Sequence, residues 1–87
     1  MFYIYILKSS IDNKLYTGFT GNLKKRFSEH NSGGVESTKN RRPLELIYYE
    51  AYKEKDNALK REKFLKTTKG KLQLRKQILI SHPYNNL

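Results

Sequence analysis

Three polar side chains stand where helical periodicity calls for apolar ones, and their types suit work on phosphate. Residues 58–65 read as a helix. At about 100° per residue, Glu62 falls about 40° from Ala58, inside the stripe that Ala58, Leu65 and Leu59 outline. A carboxylate there is costly unless a positive charge compensates it, which points to a bound cation or an arginine. A salt bridge to Arg26 or Lys63, or snorkelling at the stripe's edge, explains the position as well, and helical geometry alone favours that explanation. A helix after Asn22 repeats the theme: with Leu23 and Phe27 facing inward, Arg26 and His30 lie side by side at the margin of the core face. Arginine can grip a phosphate bidentately and stabilise developing charge, and histidine can exchange a proton near neutral pH. Singly, each also reads as ordinary, Arg26 as a rim ion pair with Glu29 or Glu62 and His30 as a satisfied residue near a helix end.

What is missing narrows the chemistry. There is no Walker phosphate loop, dinucleotide-binding glycine pattern, HExxH site or GxSxG elbow. The acidic residues Asp12, Glu29, Glu36, Glu45, Glu50, Glu54, Asp56 and Glu62 form no paired cluster of the kind that cages two metals. The set supports at most one hard cation on one carboxylate.

The elements that must position these residues follow from pattern. Phe2 to Leu7 is an aromatic and β-branched run suited to a strand buried on both faces. Turn formers at residues 9–14 lead into Leu15-Tyr16-Thr17-Gly18, so the two runs close as an antiparallel hairpin with Tyr5 near Tyr16. Asn22 caps a helix to about Asn31, where Ser32-Gly33-Gly34 stops it. Residues 33–43 form an exposed, mobile, basic loop, and Leu44 to Ala51 a third strand. Asp56 or Asn57 opens the helix bearing Glu62, and Leu72 to Ile80 follows as another after Gly70. The expectation is an α+β fold of order ββαβαα, with a small three-stranded, mostly antiparallel sheet flanked by helices. Residues 1–80 make a single domain and 81–87 a frayed tail.

Composition bounds the rest. In 87 residues, 18 Lys and Arg against 8 Asp and Glu give a formal charge of +10, which favours a polyanion, nucleic acid first, through release of condensed counterions. A basic solvated surface or an anionic membrane contact is the plainer alternative. With no cysteine there is neither a disulfide framework nor a thiolate zinc site. No run approaches the ~18 apolar residues of a membrane span, so we expect a soluble, cytoplasmic protein with no membrane association.

Taken in order, the residues resemble the GIY-YIG nuclease family over nearly the whole chain, particularly its short single-domain bacterial members, relatives of the excision-repair nuclease domain and the Slx-type resolvases. Tyr3-Ile4-Tyr5 stands at the first naming motif and Tyr16-Thr17-Gly18 at the second, with Tyr3 in place of glycine and Thr17 in place of isoleucine. The stretch from Leu15 to Arg26, His30-Asn31-Ser32-Gly33, Arg42-Pro43-Leu44 and Leu59-Lys60-Arg61-Glu62 continue the similarity. The resemblance implies a metal-dependent endonuclease that hydrolyses phosphodiester bonds in DNA, branched or damaged DNA included, by a single-metal mechanism. It implies that Tyr5 activates or positions the attacking water, Tyr16 orients water or phosphate, Arg26 binds the scissile phosphate and Glu62 holds Mg²⁺ or Mn²⁺. His30 is a secondary catalytic candidate. A tyrosine with a pKa of about 10 is a poor base at neutral pH, but a nearby arginine, lysines and a divalent ion ease formation of its phenolate. Lys24, Lys25, Lys39, Arg41 and Arg42 flank the cleft and are candidates for nucleic-acid phosphates, or for plain surface solvation. Gly18 permits a close backbone approach beside the cleft. Two other functions fit the sequence: a catalytically inactive, basic nucleic-acid-binding module, or a subunit of a repair or ribosomal assembly. A homodimer or protein partner is left open, as is DNA against RNA.

Overall fold

The computed structural model describes residues 1–81, and the expected tail lies outside them except for Ser81. Strands β1 (Phe2–Ser9) and β2 (Leu15–Thr20), helix α1 (Leu23–Asn31), a 3-10 turn (Lys39–Arg41), strand β3 (Leu44–Tyr52) and helices α2 (Lys55–Leu65) and α3 (Thr68–Ser81) follow one another. The sheet is antiparallel throughout, in the order β2-β1-β3, so the fold is α+β as expected.

The central position of β1 explains its composition. Ile4 through Leu7 are each no more than 1% exposed, because the strand is covered on both faces and successive side chains point to opposite ones. Ile4 and Ile6 enter a cluster with Ile47, Ala58, Leu65, Leu74 and Ile78, under α2 and α3. Tyr5 and Leu7 enter a second cluster with Leu44, closed by Tyr16, Leu23 and Phe27. An irregularity in the β1–β3 register between Ile6 and Leu7 lets consecutive Ile47 and Tyr48 both pack toward the first cluster.

Caps and loops depart from expectation in three places. Asn22 does cap α1, accepting from the Lys25 amide. However, α2 opens one residue before Asp56, with Glu54 at the cap position and no side-chain cap bond. Gly70 does not precede α3 but lies within its first turn, buried, with its amide donating to the Thr67 hydroxyl. A methyl group at Gly70 would run into the Phe64 carbonyl, so glycine there serves the close approach of α3 to the end of α2. The basic loop is the third: Val35 is 7% exposed and Thr38 fully buried, so it is anchored in the core and not wholly exposed. Its exit is held by Asn31, whose side-chain amide donates to the Leu44 carbonyl and accepts from the Leu44 amide, tying the end of α1 to the start of β3.

One polar network fastens α2 to the sheet. The Glu50 carboxylate accepts from Tyr48 and Tyr52 hydroxyls, both at 2.7 Å, and from Arg61 Nε and Nη2 at 2.9 and 3.0 Å. Burial works against ionisation of Glu50, but Arg61 and the two phenols outweigh it and hold the carboxyl below its ordinary value. The same burial, with Glu50, pushes Tyr52 up to about 12. Arg61 also lies over the Phe64 ring, 5.6 Å from its centroid. Glu50→Ala strands a guanidinium and two hydroxyls and is expected to lower unfolding stability by roughly 3 kcal/mol. A urea titration reads this as an earlier midpoint at unchanged slope, and an unmoved midpoint would remove the network from any structural role.

Candidate active site

The site begins with a missing side chain. Tyr5 and Gly18 are direct partners across β1 and β2 and project from the same face of the sheet. The phenol of Tyr5 lies so close over Gly18 that a methyl group there would overlap its ring and hydroxyl. The approach expected at Gly18 is therefore that of the Tyr5 ring crossing β2. Beyond the strand, the Tyr5 hydroxyl meets His30 Nε2 at 2.8 Å, and His30 Nδ1 meets Thr38 Oγ1 at 2.7 Å. All three residues are buried, His30 and Thr38 completely. Tyr16 closes the group, its ring centroid 6.3 Å from Tyr5 and 5.1 Å from His30.

Charge is arranged around this chain. Burial pushes the Tyr5 hydroxyl above its ordinary value; the Arg26 guanidinium facing it pulls the other way, and Tyr16 and the Glu62 carboxylate add to the rise. Five residues expected at the site, Tyr5, Tyr16, Arg26, His30 and Glu62, thus share one electrostatic neighbourhood. The expected easing of phenolate formation is not what the protein alone achieves, because dehydration of the buried ring outweighs the nearby arginine. His30 is shifted down, first by burial and then by Arg26. The resting pair is therefore a neutral phenol against a neutral imidazole.

Arg26 and Glu62 are the part of the site that reaches solvent, each partly buried. Arg26 bonds Glu29 at 3.3 Å, one of the two rim partners that helical spacing offered. Glu62 pairs with Lys66, four residues on, at 3.3 Å, and not with Arg26 or Lys63. Its side chain keeps 22% of its surface exposed, and Leu59, expected in the same stripe, is 38% exposed, so the apolar stripe of α2 is narrower than its sequence suggests. Among the described residues no three His, Cys, Asp or Glu side chains group as a metal cage. A lone carboxylate at the surface of a cleft fits a hard cation that keeps most of its waters and completes its shell on substrate phosphate, as Mg²⁺ and Mn²⁺ do.

The cations of the basic loop are largely engaged within the protein. Lys39 pairs with Glu36 at 3.1 Å and Arg41 with Asp12 at 3.5 Å, while Arg42 Nε donates to the Lys39 carbonyl and its guanidinium lies over Gly33. Lys24 and Lys25 are exposed on α1. Thr38 is the site residue that sequence reasoning missed, since a threonine in a polar loop carries no periodicity to mark it. Lys66 was within reach of that reasoning, standing four residues after Glu62 on one helical face.

Residues 1–76 match the GIY-YIG catalytic domain. The chain is 47% identical over 77 residues to a UPF0213 protein of Clostridium perfringens, spanning 85% of this chain and 82% of that one. To a UPF0213 protein of Syntrophus aciditrophicus it is 48% identical over 79 residues, spanning 86% and 90%. Its fold is similar to the solution NMR structure of a UPF0213 protein from Bacillus halodurans, with a TM-score of 0.56 and 33% identity over 88% of this chain and 85% of that one.

The buried, neutral His30 makes stability depend on pH. Its folded pKa lies below the ordinary 6.5, so the unfolded chain takes up the proton first on acidification. The contribution is whole above about 6.5 and declines as pH falls through the interval below it. Thermal midpoints are expected to drop from about pH 7.5 to about pH 5.5, and to drop less in His30→Gln. Equal declines in both proteins would assign the effect to other groups.

Proposed function

The chain belongs to the GIY-YIG catalytic domain family, and from that premise we propose that it is a metal-dependent endonuclease hydrolysing phosphodiester bonds in DNA. The observation that carries the reading is the unbroken chain from Tyr5 through His30 to Thr38, with Arg26 and Glu62 beside its outer end.

In this reading Tyr5 works as a relay, which suits a phenol whose pKa burial has raised. It takes a proton from the attacking water as it passes its own to His30 Nε2. The tautomer with hydrogen on Nδ1 makes both histidine bonds good, accepting from Tyr5 and donating to Thr38, and Thr38 then holds the imidazolium in place. Arg26, turning from Glu29, grips the non-bridging oxygens and stabilises the charge that gathers on them. Tyr16 fixes the imidazole by its edge-on contact. Glu62 would hold Mg²⁺ or Mn²⁺, which supplies positive charge at the departing oxygen. The water oxygen bonds to phosphorus, the bond from phosphorus to the 3′-oxygen breaks, and that oxygen takes a proton from solvent, leaving 5′-phosphate and 3′-hydroxyl ends.

The test is cleavage of linear, nicked and branched DNA with Mg²⁺ or Mn²⁺. Glu62→Ala and Arg26→Ala are each expected to lower kcat by roughly 10²–10³-fold. The wild-type rate should rise from acid to a plateau through a midpoint below the ordinary imidazole value of about 6.5, with that limb lost in His30→Gln. Absence of cutting on every substrate would leave a nucleic-acid-binding module in its place, and undiminished cutting by Glu62→Ala would overturn the metal-dependent mechanism built on that carboxylate.

A further inference from the structure

The face of the sheet that carries Tyr5 is not fully covered. Tyr49 on β3 is the direct partner of Tyr5 across the sheet and projects from the same face, on the side of β1 away from Gly18. Helix α1 shields Tyr5 but leaves Tyr49 53% exposed, with its ring meeting that of Tyr3 edge-on at 6.1 Å between centroids. Between these two rings and α1 lies an open cavity of about 500 Å³. Leu46 and Phe27 wall it, Lys24 stands at its mouth, and no acidic side chain lines it.

We propose that this cavity is a stacking subsite for one unpaired nucleobase of the nucleic acid whose backbone lies in the neighbouring site. The proposal rests on the nuclease reading and extends it by naming what the strand must present. A flat aromatic ring half in water is a platform that accepts any base by its π-face. Its apolar walls exclude water from the other contacts of that base. Lys24, exposed on the rim, takes the adjoining phosphate, in keeping with a chain of formal charge +10. A base inside a duplex has both faces covered by its neighbours and cannot lie on Tyr49. The occupant is therefore single-stranded, flapped or frayed. The volume falls in the roughly 300–1,000 Å³ range of sites for small organic groups. Because Tyr49 is one strand from Tyr5, the stacked base belongs to a nucleotide close along the chain from the one that is cut.

The probe is an oligonucleotide bearing the fluorescent base 2-aminopurine, free or annealed to its complement, titrated with the full-length Glu62→Ala protein so that binding is read without cleavage. Single-stranded probe should be bound with quenching of its fluorescence. Tyr49→Ala in the same background should weaken that binding roughly tenfold and abolish the quenching. Tyr49→Phe should preserve both, and duplex binding should change less than about twofold, since it rests on phosphate contacts. Tyr49 is exposed, so the substitution leaves the core intact; coincident circular dichroism spectra check this. Single-strand binding and quenching that survive Tyr49→Ala overturn the subsite and leave the nuclease reading standing. A protein that neither binds nor cuts DNA in any form loses both.

Discussion

The phenol of Tyr5 rests on the backbone of Gly18, and the rest of the site is arranged around that contact. A side chain at position 18 would force the ring aside, and the hydroxyl would no longer reach past β2 to His30. Because the ring is sandwiched, its hydroxyl has lost most of its water and must be satisfied by protein. His30 does this with Nε2, and its other nitrogen, equally dehydrated, calls for a further partner, which Thr38 supplies. The buried threonine in turn anchors a loop that composition alone marks as free. A single close contact between a tyrosine and a glycine therefore propagates through three hydrogen-bonding residues to the order of the 33–43 segment.

Helix α2 links stability to the site by adjacency. Arg61 is drawn to Glu50 on the sheet by a bidentate bond that also settles two tyrosine hydroxyls, while its neighbour Glu62 stands within electrostatic reach of the Tyr5 hydroxyl. The rotation of the helix about its own axis is set by the first of these residues, and the position of the second follows. Glu62 is held loosely by comparison, with one exposed lysine as its partner. That suits a group that would exchange the Lys66 ammonium for a divalent cation.

The large positive charge is unevenly available. Loop cations that stand close together in sequence are paired or bonded to carbonyls, so much of their charge holds the loop in place. The unengaged Lys24 and Lys25 lie on α1, at the side of the sheet where the tyrosine-lined cavity opens. Long-range attraction for a polyanion is served by both groups, since a paired cation still contributes to the net field. Close contact is a different matter, because an arginine already bonded must break that bond first.

The sequence alone determined what depends on local pattern. The doubly buried run of β1, the Asn22 cap, the order ββαβαα and the presence of Arg26, His30 and Glu62 in or beside apolar helical stripes all follow from periods of 2 and 3.6 and from turn chemistry. Only the tertiary structure decided which of several admissible partners each polar group took. Glu62 chose Lys66 over Arg26 and Lys63, Arg26 chose Glu29, and Glu50 took up Arg61, because partner choice depends on distances between elements that periodicity does not fix. The burial of Thr38, the place of Gly70 inside a helix and the balance that leaves Tyr5 protonated were illegible for the same reason. Each is set by how closely two segments approach in space, and a dehydrated hydroxyl or a missing methyl has no signature until the segment that covers it is in place.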